Sequence, residues 1–437
     1  PISLKIDGVI FDDAIWTTQG DYSFVDGNLI LPEDRNLTQT NNPESYIKLF
    51  AINNNTPIFL NVCVTHDFNI NFTRFDNSNG FGFTWEQFYK NGTMSSADSF
   101  VINYEVSLNN GSPTSNKLTV SNTADSYSLL GKYNGSSTID VYIKSVQYKP
   151  SNGYSVTIYN IDSSVNPELS EELKYQNFSV GIMNFHTYFG GGKGTLTSPY
   201  LIGCTRHFEN ISHTATQSKY YILTNNIYYI DKPEWTPIPS FSGVLDGNGY
   251  HFSQFSIKVD EGGNIGLFKV NLGTIKNLTL GTSFRVGSSY SNVSVGAFAG
   301  LNSGTIDNCD ITSVYNRPFF SCYAKGVSYA GCYVGTNTGT IKNCKAGDWL
   351  YGSCNLGGVA GKNSGYITNC IGCQIEFTYT GYNLSAGGIV GIQTGGYVKN
   401  CFTDDVIFYT RYNVEDSLAS EDRTMELYVG IIIGYKQ

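Results

Sequence analysis

The feature that most constrains this chain is a repeat in its carboxyl-terminal half. Each of four units carries a G-x-x-x-G stretch followed by a G-x-[IV]-x-N-C stretch. The units lie at residues 296–309, 331–344, 357–370 and 387–401, with a degenerate copy at 266–278 and a half copy at 430–434. A period of roughly 30 residues is typical of solenoids, because one unit cannot bury its apolar face alone and shares a core with its neighbours.

Equivalent residues of the repeat are expected to stack, since parallel strands in adjacent coils lie about 4.8 Å apart. The corner position predicts a ladder of amides that bond along the stack, formed by Asn277, Asn308, Asn343, Asn369 and Asn400. The next position is expected to point inward, where cysteine acts as a small hydrophobe, and holds Leu278, Cys309, Cys344, Cys370 and Cys401. The glycines are expected at corners that need positive φ.

These units resemble the GLUG-motif repeats of bacterial and phage-associated surface proteins, which are right-handed parallel β-helices. Residues 192–202 look like the entry strand of such helices, and residues 220–226, 234–238 and 241–249 resemble their first coils. The resemblance covers about residues 189–437 and implies a parallel β-helix. It does not select one function, because the family includes adhesins, secreted proteins with other activities and phage appendages.

The remainder of the chain completes an all-β organisation. Residues 1–161 are short alternating segments separated by Asp-Gly and Asn-Gly turns, which predict an antiparallel β-sandwich, jelly-roll-like, that serves as a docking module. Residues 162–190 are interpreted as a linker with a short helix at 166–175. Residues 191–437 form the predicted β-helix, whose acidic tail, 402–427, is expected to cap the open end.

Charge and composition narrow the function classes. The net charge is −9 and no lysine or arginine cluster appears, which argues against a nucleic-acid partner. The sequence has no apolar run long enough to span a membrane and no recognisable signal peptide. Either a leader was removed, or the protein was made in a host cytoplasm and lost only its initiator Met; the second suits a virion protein.

The ten cysteines leave the redox state open. Those of the ladder are expected to be reduced and buried. A disulfide between Cys322 and Cys332, or between Cys354 and Cys373, could join a loop to the solenoid. A zinc site at Cys370 and Cys373 is disfavoured because Cys370 is predicted to point inward.

Catalytic chemistry finds little support in the sequence. Polysaccharide cleavage by a β-helix would need paired carboxylates on neighbouring coils, and the candidates are Asp246, Asp310, Asp348, Glu376, Asp404 and Asp405. Asp310 has no acidic equivalent in the next coils, where Lys345, Ile371 and Phe402 lie, so paired acids on one face are not evident. The five histidines lack a nucleophile motif, and the glycine-rich residues 190–194 are a hinge rather than a phosphate loop. No enzyme activity, cofactor or metal is predicted.

Glycan binding is the favoured chemistry, because exposed aromatic faces stack on sugars. The candidate contacts are Trp16, Trp85, Trp349, Phe319 and Phe320. We therefore expect a non-enzymatic, adhesive phage appendage on the virion surface that binds a host glycan or receptor. It would form homo-oligomers and dock on other virion or surface-assembly proteins through its amino-terminal domain. The alternatives are a secreted or cell-surface bacterial adhesin or filament subunit, and a polysaccharide-degrading enzyme.

Overall fold

The structure is a computed structural model of the 437-residue chain. It describes residues 70–86, 88, 96–133, 138–149, 151, 159, 182–230, 234–259, 262–287, 289–312, 320–347, 349–376 and 384–403, together with the backbone of further strands. The chain divides into two compact units, one formed by residues 1–75 and 80–187, the other by residues 76–79 and 188–437.

The first unit is antiparallel. Its largest sheet has the order Thr114–Ser121, Ser99–Leu108, Thr138–Lys149 and Val156–Asn160, with Met183–His186 also pairing with Thr138–Lys149; a second sheet has the order Ser126–Ser128, Gly80–Trp85 and Phe72–Asn77. The remaining strands form hairpins or a small sheet: Leu4–Ile6 with Val9–Phe11, Ser23–Val25 with Asn28–Ile30, and Ile15–Thr18 with Tyr46–Asn53 and Thr56–Cys63.

Alternation of apolar residues explains how the two larger sheets pack. Along Thr138–Lys149 the side chains of Ile139, Val141 and Ile143 are buried. The pairing with Ser99–Leu108 then shifts by one residue, as in a β-bulge, so that Val146 is buried as well. The shared core also contains Phe83 from the second sheet. The antiparallel sandwich predicted for this region is confirmed.

The boundary after the sandwich differs from the predicted linker. Met183–His186 lies within residues 162–190, yet it pairs in register with Val141 to Thr138 as a strand of the sandwich. Its buried members, Met183 and Phe185, belong to the sandwich core, which explains why the strand forms there. The helix predicted at 166–175 and most of the predicted cap lie outside the described residues.

The second unit is a parallel solenoid, in which successive coils pass through four sheets named here S1 to S4. S1 contains Tyr200–Ile202, Tyr220–Leu223, Val244–Asp246, Thr274–Lys276, Thr305–Asp307, Thr340–Lys342, Tyr366–Thr368 and Tyr397–Lys399. S2 contains Ile227–Tyr228, Glu234–Trp235, His251–Ile257, Thr279–Val286, Asp310–Ile311, Phe320–Cys322, Trp349–Gly352, Gln374–Phe377 and Val406–Phe408, with Ile371–Gly372 and Phe402–Thr403 paired beside it.

The other two sheets complete each coil. S3 contains Gly263–Ile265, Val293–Val295, Tyr329–Gly331, Asn355–Gly357, Leu384–Gly387 and Leu427–Gly430. S4 contains Ile238–Phe241, Phe268–Asn271, Ala299–Asn302, Val334–Asn337, Ala360–Asn363, Val390–Gln393 and Ile433–Lys436. A short helix, Thr205–Glu209, and a 3-10 turn, Asn210–His213, follow the first strand of S1. The predicted parallel β-helix is confirmed.

The role predicted for the repeat glycines is wrong at most corners. The ladder asparagines have positive φ, for example 52° at Asn308 and 56° at Asn343. Among the glycines that open S1, Gly396 has a positive φ of 61°. The glycine that opens S1 is required for a different reason: a Cβ on Gly339 would lie 2.1 Å from the carbonyl oxygen of Gly304 in the preceding coil. Asparagine tolerates the left-handed region better than most residues, whereas the glycine permits close approach of two backbones.

Candidate functional site: the outward face of sheet S1

The asparagine corner of the repeat is an exposed, hydrogen-bonded ladder. Asn308 Nδ2 donates to Asn277 Oδ1 at 2.8 Å, and Asn369 Nδ2 donates to Asn343 Oδ1 at 3.1 Å. Asn400 Nδ2 continues the series to Asn369 Oδ1 at 3.3 Å. The series changes partner at one step, where Asn343 Nδ2 donates to Asp307 Oδ1 at 2.9 Å. The ladder therefore links its coils partly through the neighbouring charged column.

That charged column alternates in sign along the solenoid. In register it contains Asp246, Lys276, Asp307, Lys342, Thr368 and Lys399. Lys276 Nζ lies 3.0 Å from Asp246 Oδ2, and Lys342 Nζ lies 3.1 Å from Asp307 Oδ2. A lysine thus separates Asp246 from Asp307 along the column. Polysaccharide cleavage needs two acids on neighbouring coils, and this column does not bring two acids together.

Asp246 has a structural environment rather than that of a general acid. Burial would raise its pKa, but hydrogen bonds from Asn277 and from the Asn248 backbone N–H, with the Lys276 ammonium, hold the pKa below the usual value. A general acid needs the opposite shift. Asp310 is exposed and Glu376 is half-buried, and both lie on S2 rather than S1. Asp348, Asp404 and Asp405 lie outside the described residues.

Aromatic side chains join the outward face of S1 in its last described coils. Tyr366 and Tyr397 occupy equivalent positions, with ring centroids 4.8 Å apart and planes inclined by 50°. They are 48% and 51% exposed, and Phe402, beyond the Asn corner, is 62% exposed. Sequence reasoning missed this pair, although both tyrosines replace the threonine of the earlier units and could have been found from the repeat alignment.

The predicted ligand contacts are only partly at the surface. Trp349 is exposed, with its ring 5.9 Å from that of Tyr351. Trp85 and Phe320 are wrong as candidates, because both are buried in the cores of their units. The Trp85 indole N–H also donates to the Ala124 carbonyl, which satisfies its polar atom internally. The side chains of Trp16 and Phe319 lie outside the described residues.

A second amide ladder, missed by the sequence reasoning, is fully internal. Asn271 donates to Asn302, Asn302 to Asn337, Asn337 to Asn363, and Asn363 to Gln393, at 2.7, 2.8, 2.7 and 2.9 Å. None of these side chains is more than 4% exposed. In four coils an asparagine lies two positions before the glycine that opens S1, and this spacing is the signal that could have revealed the ladder.

The cysteines also differ from the predicted pairing. Cys332 is bonded to Cys373, so neither proposed bridge is correct. Cys322 instead interacts with the thiol of Cys354, which lowers the pKa of Cys322. The bridges predicted from the sequence would join a loop to the solenoid. Cys332 instead directly follows an S3 strand and Cys373 directly precedes an S2 strand, and both side chains are buried inside the solenoid.

The ladder thiols are buried in a column beside this disulfide. The Cys370 backbone N–H lies 3.4 Å from Cys401 Sγ, and Cys344 Sγ donates to the Lys342 carbonyl at 3.0 Å. Burial raises the pKa of Cys309 to about 12, and the hydrogen bond with Cys344 is the main cause that raises the pKa of Cys370 to about 12. Such thiols are poor nucleophiles and poor metal ligands, since both roles require the thiolate.

One cluster of metal-binding residue types occurs among the described residues: Asp76, Cys204 and His207, whose donor atoms all lie within 4.8 Å of one another. Asp76 Oδ1 accepts hydrogen bonds from Arg206 Nη2 at 2.5 Å and from His207 Nε2 at 2.7 Å. His207 Nδ1 accepts the Gly203 N–H at 3.1 Å, so the proton is assigned to Nε2. The guanidinium already neutralises the carboxylate, and burial raises the pKa of Cys204. The arrangement is that of a buried ion-pair network.

The other described histidines have packing roles. His213 stacks on Tyr188 at 4.5 Å, and His251 meets Tyr228 edge-on at 5.0 Å. His186 is buried in Met183–His186, the sandwich strand that lies within the predicted linker. His66 lies outside the described residues. Among the helices in the described ranges, none has the length and apolar character needed to cross a membrane.

Comparison with known proteins gives partial matches. The chain matches no protein-family profile. It is 35% identical over 134 residues to a "Putative Gly-rich membrane protein" of Evansella cellulosilytica, and 33% identical over 136 residues to "Halomucin" of Haloquadratum walsbyi. Each match covers 28% of this chain but only 15% and 1% of those relatives.

Among solved structures, a putative immunoglobulin A1 protease from Bacteroides ovatus aligns with 18% sequence identity and a TM-score of 0.38. The alignment covers 57% of this chain and 87% of that protein. No conclusion about activity follows from a likeness at this level.

Proposed function

We propose that the protein is a non-enzymatic, adhesive or structural surface protein whose solenoid displays the outward face of S1 to a partner. The observation that carries this proposal is that each coil has one set of polar side chains inside the solenoid and another set on its surface. The internal amides bond to one another along the stack, while hydroxyl, amide, charged and aromatic side chains repeat on the outside in register. A regular rigid array suits passive binding.

Two features support a passive rather than a catalytic role. The acids of S1 alternate with lysines, which leaves no carboxylate pair for general acid–base catalysis on this face. The ladder thiols are buried, and the pKa values of Cys309 and Cys370 are raised. The described residues of this face therefore provide no paired carboxylates for a polysaccharide-degrading activity.

The setting of the protein is a further part of the proposal. The two relatives, a putative Gly-rich membrane protein and a halomucin, favour display at a cell surface. The alternative is a phage virion appendage with GLUG-type repeats. In that case the sandwich docks on other virion proteins and the protein assembles as a homo-oligomer. Immunogold labelling of the source organism and its phage particles would distinguish them, because the two proposals place the protein on different particles.

The function itself is tested by attachment. We expect the purified full chain to bind whole cells or cell-wall material and to remain bound without releasing sugar fragments. Binding is measured by sedimentation with labelled protein, and turnover by the appearance of reducing ends. Failure to attach, or release of reducing ends that increases with protein concentration, would refute the passive role.

A further inference from the structure

We propose that the outward face of S1 between Lys342 and Phe402 binds an acidic polysaccharide, with the sugar rings on Tyr366 and Tyr397 and the carboxylates near lysines. The inference rests on the proposed adhesive function and names its ligand class. It concerns three successive coils, represented by residues 340–345, 366–371 and 397–402. We call this surface, which includes the residues just past the Asn corner beside S2, the distal S1 face.

The charge of the distal S1 face is opposite to that of the whole chain. The chain has a net charge of −9, yet these three segments contain Lys342, Lys345 and Lys399 and no carboxylate. The preceding coils differ, since they contribute Asp246, Asp307 and Asp310 to the same columns. A local cationic strip on an acidic protein favours an anionic partner over a neutral one.

The positions of the lysines extend this argument. Lys342 is neutralised by Asp307 from the coil below. Lys345 and Lys399 are exposed. Lys345 lies in register with Asp310 of the preceding coil and Ile371 of the next coil, and the register neighbour of Lys399 is Thr368. They lie on the coils before and after the one that carries Tyr366, and are therefore two coil rises, roughly 10 Å, apart along the stack.

The aromatic side chains supply the sugar-binding element. Tyr366 and Tyr397 stand side by side along the stack, 4.8 Å between centroids, and about half of each residue is exposed. Aromatic faces pack on the C–H groups of a ring while the phenol and nearby amides bond to hydroxyls. The exposed ladder amides of Asn369 and Asn400 are adjacent. Since a pyranose is about as long as the ~4.8 Å rise between coils, consecutive sugars can follow the stack.

A nucleic acid would meet the same lysines, but the site lacks an extended basic surface and the chain is acidic overall. A second copy of this chain that docked strip against strip would bring like charges together, which is unfavourable. A carboxylated polysaccharide satisfies both the charge and the aromatic requirement, and so is the occupant that the surface favours.

The test uses the full chain with polygalacturonate as the carboxylated probe and dextran as the neutral one, in surface-binding assays at two salt concentrations. We expect binding to polygalacturonate that weakens with salt, and much weaker binding to dextran. The double substitution Tyr366→Ala and Tyr397→Ala should reduce affinity about tenfold, the loss expected from two stacking contacts. Lys345→Gln with Lys399→Gln should reduce the salt dependence.

Matched controls separate the site from general effects on the fold. Tyr228→Ala removes a comparably exposed tyrosine from an early coil, and Lys193→Gln removes an exposed lysine outside S1; both should bind as the unmodified chain does. Equal binding by the tyrosine double variant, equal affinity for dextran, or a change in oligomeric mass caused by that variant would overturn the proposal.

Attachment to source cells, measured in parallel, distinguishes this proposal from the broader one. If the tyrosine variant still attaches as the unmodified chain does, the adhesive function stands and the distal S1 face is not its binding site. If the unmodified chain fails to attach, or depolymerises polygalacturonate, the proposed function fails and this inference fails with it.

Discussion

Asn302 and Asn337 occupy equivalent positions on successive coils, and the Asn302 side-chain amide donates to Asn337 Oδ1 across 2.8 Å with neither residue exposed. Asn337 in turn donates to Asn363 at 2.7 Å. Each amide is therefore both donor and acceptor in a chain of bonds that runs along the solenoid. The internal ladder therefore couples neighbouring coils through buried side chains, in addition to the backbone pairing of the strands.

Asn337→Ala should destabilise the solenoid by about 2–4 kcal/mol, because it removes the two buried hydrogen bonds that join Asn337 to Asn302 and Asn363 and leaves a cavity in their place. Hydrogen exchange of the S4 strands and the thermal midpoint measure the effect. The exposed Asn225→Ala serves as the control and should change stability little. A loss at Asn337 no greater than that at Asn225 would contradict the role of the ladder.

Gly339→Ala should prevent normal stacking of its coil, since the new Cβ would lie 2.1 Å from the Gly304 carbonyl oxygen and both atoms are held by backbone. We expect a loss of more than about 3 kcal/mol or of soluble protein, as for strongly overpacked sites. Gly395→Ala is the matched control, because its nearest contact is 3.5 Å. Similar yields and melting temperatures for the two variants would refute this account.

Asn369→Gly should be more stable than Asn369→Ala by about 1 kcal/mol, because the residue has a φ of 54° that alanine disfavours and glycine adopts freely. Both changes remove the same side-chain hydrogen bonds, so the difference isolates the backbone conformation. Denaturant midpoints of the two variants decide the matter. An alanine variant at least as stable as the glycine variant would show that the left-handed corner is not what selects asparagine.

The disulfide between Cys332 and Cys373 encloses a sequence separation of 41 residues. Its removal by Cys332→Ala with Cys373→Ala should cost about 4 kcal/mol on a chain-entropy estimate. Peptide mapping without reductant should find these two cysteines joined, and Cys309, Cys344, Cys370 and Cys401 as free thiols. A bridge between Cys322 and Cys332, or between Cys354 and Cys373, would instead support the pairing considered from the sequence.

Alkaline pH should destabilise the solenoid. The pKa values of Cys309 and Cys370 are about 12 in the folded chain against an ordinary 9.0, so between these values only the unfolded chain ionises. The unfolded state then binds fewer protons, and the free energy of unfolding falls as pH rises. Full stabilisation is present below pH 9 and is lost progressively towards pH 12. Burial raises the pKa of Tyr221 to about 12, which adds in the same direction.

Thermal midpoints recorded from pH 8 to 11 test this expectation, with Cys309→Ala as the comparison, since that variant lacks one of the titrating thiols. Its midpoint should fall less steeply with pH than that of the unmodified chain. A midpoint that stays constant or rises over this range would contradict the burial of the thiol column. Native alkylation at pH 8 should also leave Cys309 unmodified.

The repeat determined the solenoid, because a fixed period with an inward apolar position can bury its core only by stacking coils. It also indicated the corner asparagines and the inward cysteines of the ladder. The repeat did not reveal which cysteines form the disulfide bond or which thiols contact each other. Cys332 and Cys373 are joined because separate sheets converge inside the solenoid, whereas Cys322 meets Cys354 across neighbouring coils.

The difference between sequence pattern and tertiary contacts also explains why the predictions for the repeat glycines and for two aromatic residues were wrong. Sequence identifies a glycine but not whether positive φ or the approach of another backbone requires it; at Gly339 only the neighbouring coil decides. It identifies Trp85 and Phe320 as large aromatics but not that they face a core. Periodicity fixes which residues are equivalent along a solenoid, while the path of each coil between repeats fixes what every side chain contacts, and that path is set by packing throughout the tertiary structure.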